Sequence, residues 1–312
     1  MIRYIQILVL LAVCTAAAQS QVVVEIRTDV DERNFMPYEL PMLIDSGNAL
    51  TFNEIKSPSW FNKFNLNDGY QNKDFLPNAS YWIRLPIRHT TNTSKVWLLE
   101  FYDRTIDHVD AYIPQEDGSY SMVSMGDELP FLSRLIPHKN FEVVLNMKSD
   151  GVRYYYFRIQ SREFADIRVA LRSANRFIHY ALNEYFLFGT FYGMILIIIL
   201  YNLLVYLAIR EIKNLLYVLY LFSVAAYAVS LDGIGFQYLW PNHPEWNDYA
   251  TGVALYGVIV SSLLFTRRFL RTRSIAPTLD RLFTLMIVAR TAWFVIALVI
   301  LPQHLPFRVA DI

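Results

Sequence analysis

Cysteine is almost missing from this sequence: Cys14 is the single one in 312 residues. It stands inside an N-terminal apolar stretch, so no internal disulfide can staple the rest of the chain, and paired-cysteine chemistry is excluded. Net charge is missing as well, with 28 Lys and Arg against 28 Asp and Glu. That balance gives no reason to expect a nucleic acid partner. No Gly-rich phosphate loop, HExxH or G-x-S-x-G occurs, so no cofactor and no catalytic residue is expected. One further absence is local. Residues 231–249, "LDGIGFQYLWPNHPEWNDY", contain Asp232, Glu245 and Asp248 but no Lys or Arg, although they separate two long apolar runs.

The chain starts with Arg3, an apolar core over residues 5–13 and small residues at Ala16 and Ala18. This is the layout of a secretory signal peptide, residues 1–18. Val13 just before Cys14 counts against lipid attachment. Residues 19–183 are then expected to be an exported domain. "YWIRLPIRH" (81–89) alternates Tyr81, Ile83, Leu85 and Ile87 with Trp82, Arg84, Pro86 and Arg88, the period of two of a half-buried strand. Pro86 suggests an edge or a bulge. Similar runs occur at 96–102, 108–113, 141–146, 153–160 and 166–172, separated by turn sequences such as "PQEDGS" and "KSDG". Many short strands point to an all-β sandwich.

Residues 184–312 differ in kind. Uncharged stretches at about 185–209, 215–231 and 250–266, and a fourth at 282–301 that holds Arg290, predict four membrane-spanning helices. Gly252, Gly257, Ser261 and Ser262 make the third the weakest. An exported β-domain forces the first span to run inward. The basic residues agree, since Arg210 and Lys213 follow span one and Arg267, Arg268, Arg271, Arg273 and Arg281 follow span three. The 231–249 loop therefore belongs on the outer side, with Tyr238, Trp240 and Trp246 at the interface.

Candidate binding residues come from aromatic and basic side chains of the outer domain. Flat rings stack on apolar faces of ligands such as sugars, while Arg bonds hydroxyls, carboxylates or phosphates. The polar face of residues 81–89 offers Trp82, Arg84 and Arg88; Tyr102, Arg104 and Arg134 complete the expected ligand set. Asp103, Asp107, His108 and Asp110 do not share one strand face, and His89, His138 and His179 are isolated, so no metal is expected. Asp232, Gln237 and Trp240 in the outer loop, with the intramembrane Arg290, are the expected signal-coupling residues.

"YWIRLPIRHTTNTSKVWLLEFYDRTIDHVDAYIPQEDGSY", with "SMGDELPFLSRLIPHKNFEVVLNM" and "YYYFRIQS", resembles the extracellular type-2 domain of bacterial seven-transmembrane receptors with diverse intracellular signalling modules. "FYGMILIIILYNLLVYLAIREIKNLLYVLYLFSVAAYAVSLDGIGFQYLWP" resembles the start of that family's seven-helix region. The resemblance covers roughly residues 58–301. It implies a jelly-roll-like sensory domain similar to carbohydrate-binding modules, an inner-membrane location with the N-terminal domain periplasmic, and a cytoplasmic output module such as a histidine kinase or diguanylate cyclase. With four spans and no output domain, the chain reads as part of a longer frame. Expected partners are a small-molecule ligand with sugar as a candidate class, the lipid bilayer, the output module and a second copy. The competing readings are a transporter or channel subunit, and a membrane-tethered carbohydrate-active enzyme.

Overall fold

The computed structural model describes residues 23–26, 30–67, 69–89, 95–145, 151–299 and 307; the expected signal peptide lies outside them. The strands are β1 (Val24–Glu25), β2 (Glu32–Phe35), β3 (Met42–Asp45), β4 (Ser80–His89), β5 (Trp97–Phe101), β6 (His108–Pro114), β7 (Tyr120–Met125), β8 (Phe141–Val144), β9 (Gly151–Gln160) and β10 (Val169–Ser173). They form a six-stranded sheet, in the order β1-β4-β9-β6-β7 with β3 also on β4, and a four-stranded sheet, β2-β10-β5-β8. The alternating residues of each strand decide which face is inside. Tyr81, Ile83, Leu85 and Ile87 of β4 meet Leu99, Phe101, Phe141 and Leu171 of the other sheet in one buried core.

Two expectations for β4 are corrected. It is not an edge strand, because it lies between β9 on one side and β1 and β3 on the other. Pro86 is tolerated because β3 pairs only as far as Ile83 and β1 begins at Ile87. The Arg84 N–H points to that same side, toward the Pro41 carbonyl, so the N–H that Pro86 lacks would have entered a gap in the ladder.

Nor is the Trp82 and Arg84 face open. Both side chains are buried, 0 % and 1 % exposed, beneath the short helix α1 (Phe52–Ile55) and the 3-10 turn Pro58–Lys63. The Arg84 guanidinium lies 4.3 Å from the Phe61 ring centre and 4.7 Å from that of Phe64. Trp82 joins Ile55, Phe64 and Tyr156 in a second small core. The cover starts at a capping box, where Glu54 Oε2 accepts from the Thr51 N–H at 2.8 Å.

Helix α2 (Ala174–Ile209) grows directly out of β10, its first turn capped by Ser173 Oγ, which accepts from the Arg176 N–H. At 36 residues it is about 54 Å long, longer than a hydrocarbon core. Its first ten or so residues therefore have length to spare for packing on the sandwich. The chain continues through α3 (Ile212–Leu231), α4 (Ile234–Tyr238), α5 (Asn247–Phe269), α6 (Thr272–Ile275) and α7 (Pro277–Val299). Four helical segments, 174–209, 212–231, 244–269 and 277–299, are long and apolar enough to cross a membrane.

The small residues that weaken the third span in the sequence have a packing role. Gly252, Ala254 and Ser261 are buried on α5, and a Cβ at Gly257 would sit 2.9 Å from Ser223 Oγ of α3. Small residues let apolar helices approach closely where lipid supplies no hydrophobic drive. Gly257→Leu is expected to destabilise the α3–α5 pair by about 1–3 kcal/mol through overpacking. Thermal unfolding in detergent reads this; an unchanged Tm would place Gly257 outside the contact.

Candidate signal-coupling junction

The outer face of the four-stranded sheet carries charge and yet is buried. Glu100 of β5 and Glu142 of β8 are directly opposite in register, both 0 % exposed, with Arg172 of β10 beside them. Arg172 ion-pairs with Glu100 and, at 3.0 Å, with Glu32 of β2. The Asn140 amide donates to Glu100 Oε1 at 2.5 Å. Buried charge persists only when paired and hydrogen-bonded in this way.

His138 closes the network. Its Nδ1 lies 2.5 Å from Glu142 Oε1, and it is 3 % exposed. Burial pushes the Glu142 carboxyl well above the usual carboxylate range, although Arg134 and Lys139 oppose this. Burial lowers the His138 imidazole to about 4, against the opposing pull of Glu184. The contact is therefore a neutral hydrogen bond rather than an ion pair, with Glu142 donating to the ring. Two opposed carboxylates explain the asymmetry, because Glu100 holds the guanidinium and Glu142 keeps a proton.

The first helix covers this network. Phe177 packs edge-on against the His138 ring at 5.2 Å, Tyr180 lies 4.4 Å from the Arg172 guanidinium, and Glu184 Oε1 meets Lys139 Nζ at 2.7 Å. Arg176 adds an ion pair to Glu32 at 2.8 Å.

A second set of ties runs to the loop between α3 and α5. The Tyr185 hydroxyl donates to Gln237 Oε1 at 2.6 Å, and Gln237 Nε2 donates to the Pro137 carbonyl at 3.0 Å. Tyr192 donates to Asp232 at 2.6 Å. Trp240 Nε1 donates to Asn247 Oδ1 at 2.7 Å, and Asn247 Nδ2 donates to Asp127 Oδ1 at 2.6 Å. Gly233 has φ 74°, and a Cβ there would lie 2.6 Å from Arg104 Cδ. Only glycine combines that backbone with that approach. A cavity of about 30 Å³ remains at this seam, lined in part by Arg104, Arg134, Gly233, Trp240 and Asn247.

The residues singled out in the sequence divide accordingly. Gln237 bonds the sandwich at Pro137 and Trp240 reaches it through Asn247, whereas Asp232 is bonded to Tyr192 of α2. Arg134 is in the junction too, but as a brace: it is 6 % exposed, its Nη1 donates to the His138 carbonyl at 2.9 Å, and it lies between Phe131 and Phe141 with Phe236 of α4 close by. Arg104 borders the seam cavity. Tyr102 accepts from Arg172 and donates to Asn34 at 3.2 Å. Arg88 is exposed beside Glu25 at 3.7 Å. Trp82 and Arg84 sit under the aromatic cover, and Arg290 lies partly buried midway along α7. These positions do not form one ligand surface.

His138, read as isolated, is the residue the sequence conceals, together with Glu100, Glu142 and Arg172. A glutamate inside an apolar strand, in "WLLEF" and in "FEVV", is the signal that could have found them. The ligand atoms of Glu100, His138 and Glu142 lie within 4.8 Å of one another. Arg172 and Asn140 already occupy Glu100, however, and Arg134 and Lys139 stand beside Glu142, so the charge balance suits a shared proton better than a divalent cation.

Two sheets facing each other, followed by helices long and apolar enough to cross a membrane and bonded at one end to the sheet domain, define a membrane protein with an N-terminal β-domain. Residues 38–173 match the family described as 7TMR-DISM extracellular 2, and residues 184–312 match 7TM diverse intracellular signalling. The chain belongs to this family of membrane receptors. No curated protein matches it.

Proposed function

We propose that this chain is the sensing and membrane part of a multi-pass inner-membrane receptor whose periplasmic sandwich detects a small molecule and passes the change inward to a cytoplasmic signalling module. The observation that carries this reading is the junction. Side chains of the sandwich bond to α2, to the 231–249 loop and to the start of α5, so a shift of the sandwich loads three helices at once. A ligand moves such an element only by binding one arrangement more tightly than the other.

Transport is less well supported. Several hydroxyl and amide groups within the helices bond to their own backbone, Thr190 to Phe186, Asn202 to Ile198, Ser223 to Leu219 and Thr291 to Ile287, and Thr291 also meets Tyr256 across α5 and α7 at 3.1 Å. Among the described residues they form no ladder of polar groups along which a solute would pass. Sugar hydrolysis by Glu100 and Glu142 is disfavoured because both are buried beneath α2, and Asp107 and Glu128 are both tied up by Arg162.

A single-cysteine label tests this. In a Cys14→Ser background, Arg210→Cys should react with a membrane-impermeant maleimide in inverted vesicles and not in spheroplasts. Gln237→Leu, which cuts the ties to Tyr185 and Pro137, should change the rate of that labelling several-fold. Labelling from the outside would overturn the topology. A rate indifferent to Gln237→Leu would overturn transmission through the junction.

A further inference from the structure

On the side of the sandwich next to the start of α5 lies an open cavity of about 240 Å³. One wall is neutral, with Asn48, Asn78, Gln160 and Ser161. The other is charged, with Asp107, His108, Glu128 and Arg162. The charged groups are already engaged. The Arg162 N–H donates to Asp107 Oδ2 at 2.8 Å, its guanidinium pairs with Glu128, and His108 Nε2 lies 2.9 Å from the second Glu128 oxygen. The neutral groups are left over. Ser161 is 2 % exposed and its Oγ has no hydrogen-bond partner. The side-chain amides of Asn78 and Gln160 have none among the described residues.

A buried hydroxyl without a partner costs free energy, and here it borders an open cavity. Two backbone positions on the rim add to the cost. Asn48 and Asn78 stand at φ 52° and 63°, a region that suits asparagine better than most residues, and Asn48 Nδ2 donates to the Asn78 carbonyl at 2.5 Å. The conformation is fixed from the other side as well, because the Asn78 N–H donates to the Ser161 carbonyl at 2.9 Å.

We infer that this cavity is the ligand site of the sandwich, and that it takes a small uncharged polyhydroxyl compound whose hydroxyls both donate to and accept from Ser161, Asn78 and Gln160. Charged ligands are disfavoured: Asp107 and Glu128 share the one guanidinium of Arg162 and so repel an anion, and a cation would have to displace the Arg162 and His108 that already hold them. The inference rests on the receptor reading for its consequence and not for its chemistry.

That consequence depends on one residue. Arg162 also reaches Asp248 of α5 at 3.5 Å, while Asp127, next to Glu128, holds Asn247. The 126–128 segment is tied to the cavity wall, since the Asp127 N–H donates to the Ile106 carbonyl at 2.8 Å and the Glu128 N–H to that of Asp107 at 3.4 Å. A ligand that reorients Arg162 therefore acts on the outer end of a membrane helix.

The full chain in detergent, titrated with glucose, myo-inositol and glycerol and separately with glucosamine and glucuronate, tests the site. At least one neutral probe should raise Tm with the logarithmic concentration dependence of a ligand that binds the folded state, and the charged pair should not. Ser161→Ala should leave the unliganded Tm unchanged or higher, because it removes an unsatisfied hydroxyl, yet abolish the ligand-dependent rise. Gln160→Ala should weaken that rise at least several-fold. No rise with any neutral probe, a rise only with a charged probe, or a rise that survives Ser161→Ala would each overturn the inference. A rise that depends on Ser161 but leaves the Arg210→Cys labelling rate unmoved would keep the site and sink the receptor reading.

Discussion

Arg172→Met should unfold the outer domain more readily than any other single change at the junction, lowering stability by about 3–5 kcal/mol. The substitution removes the guanidinium that faces Glu100 and leaves a fully buried carboxylate with one amide donor, Asn140. It also removes the cation 4.4 Å from the Tyr180 ring, so the loss falls where α2 leaves the sheet. The neutralised double variant, Arg172→Met with Glu100→Gln, keeps the acceptor for Asn140 and removes the stranded charge. It should regain most of the stability, because a buried ion pair is often worth little more than an apolar replacement of its volume. Thermal unfolding of the full chain in detergent measures both. A single variant within about 1 kcal/mol of the parent, the span of an exposed ion pair, would mean that water reaches Glu100.

That network marks the boundary of what the sequence reveals. The period of two in residues 81–89 places Tyr81, Ile83, Leu85 and Ile87 correctly in the core, because a strand face is a local property. The apolar runs are legible for the same reason, since length and hydropathy alone set a spanning helix. Residues 50–64 are opaque. Phe52, Trp60, Phe61 and Phe64 follow no strand or helix period, and only tertiary packing makes them a lid over Trp82 and Arg84. The Thr51-x-x-Glu54 capping box is the one local clue.

His138 is a harder case. Glu142 is only four positions on, in β8, but Glu100 and Glu184 lie 38 and 46 positions away, on β5 and α2, and nothing near His138 in the chain announces those two. The loop residues differ: Asp232, Gln237 and Trp240 stand out because polar and glycine-rich sequence between apolar runs has few structural uses.

The proton shared in that network gives the second large effect, and its sign can be worked out. For Glu142, whose folded pKa is raised, the stabilisation is complete below the unfolded value and is lost as pH rises toward the folded one. For His138, lowered to about 4, it is complete above the unfolded value near 6.5 and is lost as pH falls through the folded one. Above about pH 4.5, for as long as folded Glu142 keeps its proton and unfolded His138 binds one, unfolding releases a proton from the first and takes one up at the second, so the two slopes cancel.

Glu142→Gln breaks the cancellation while keeping a group that can donate to His138 Nδ1. This variant should lose about 1.4 kcal/mol for each pH unit below 6.5, down to about pH 4, while the parent stays level down to about pH 4.5. At higher pH the roles exchange: the parent loses stability as pH rises toward the folded pKa of Glu142, and the variant does not. Unfolding curves of the two chains across this range decide the matter. Parallel curves from pH 4 to 8 would show that His138 and Glu142 are solvated, and that no proton is held beneath the first helix.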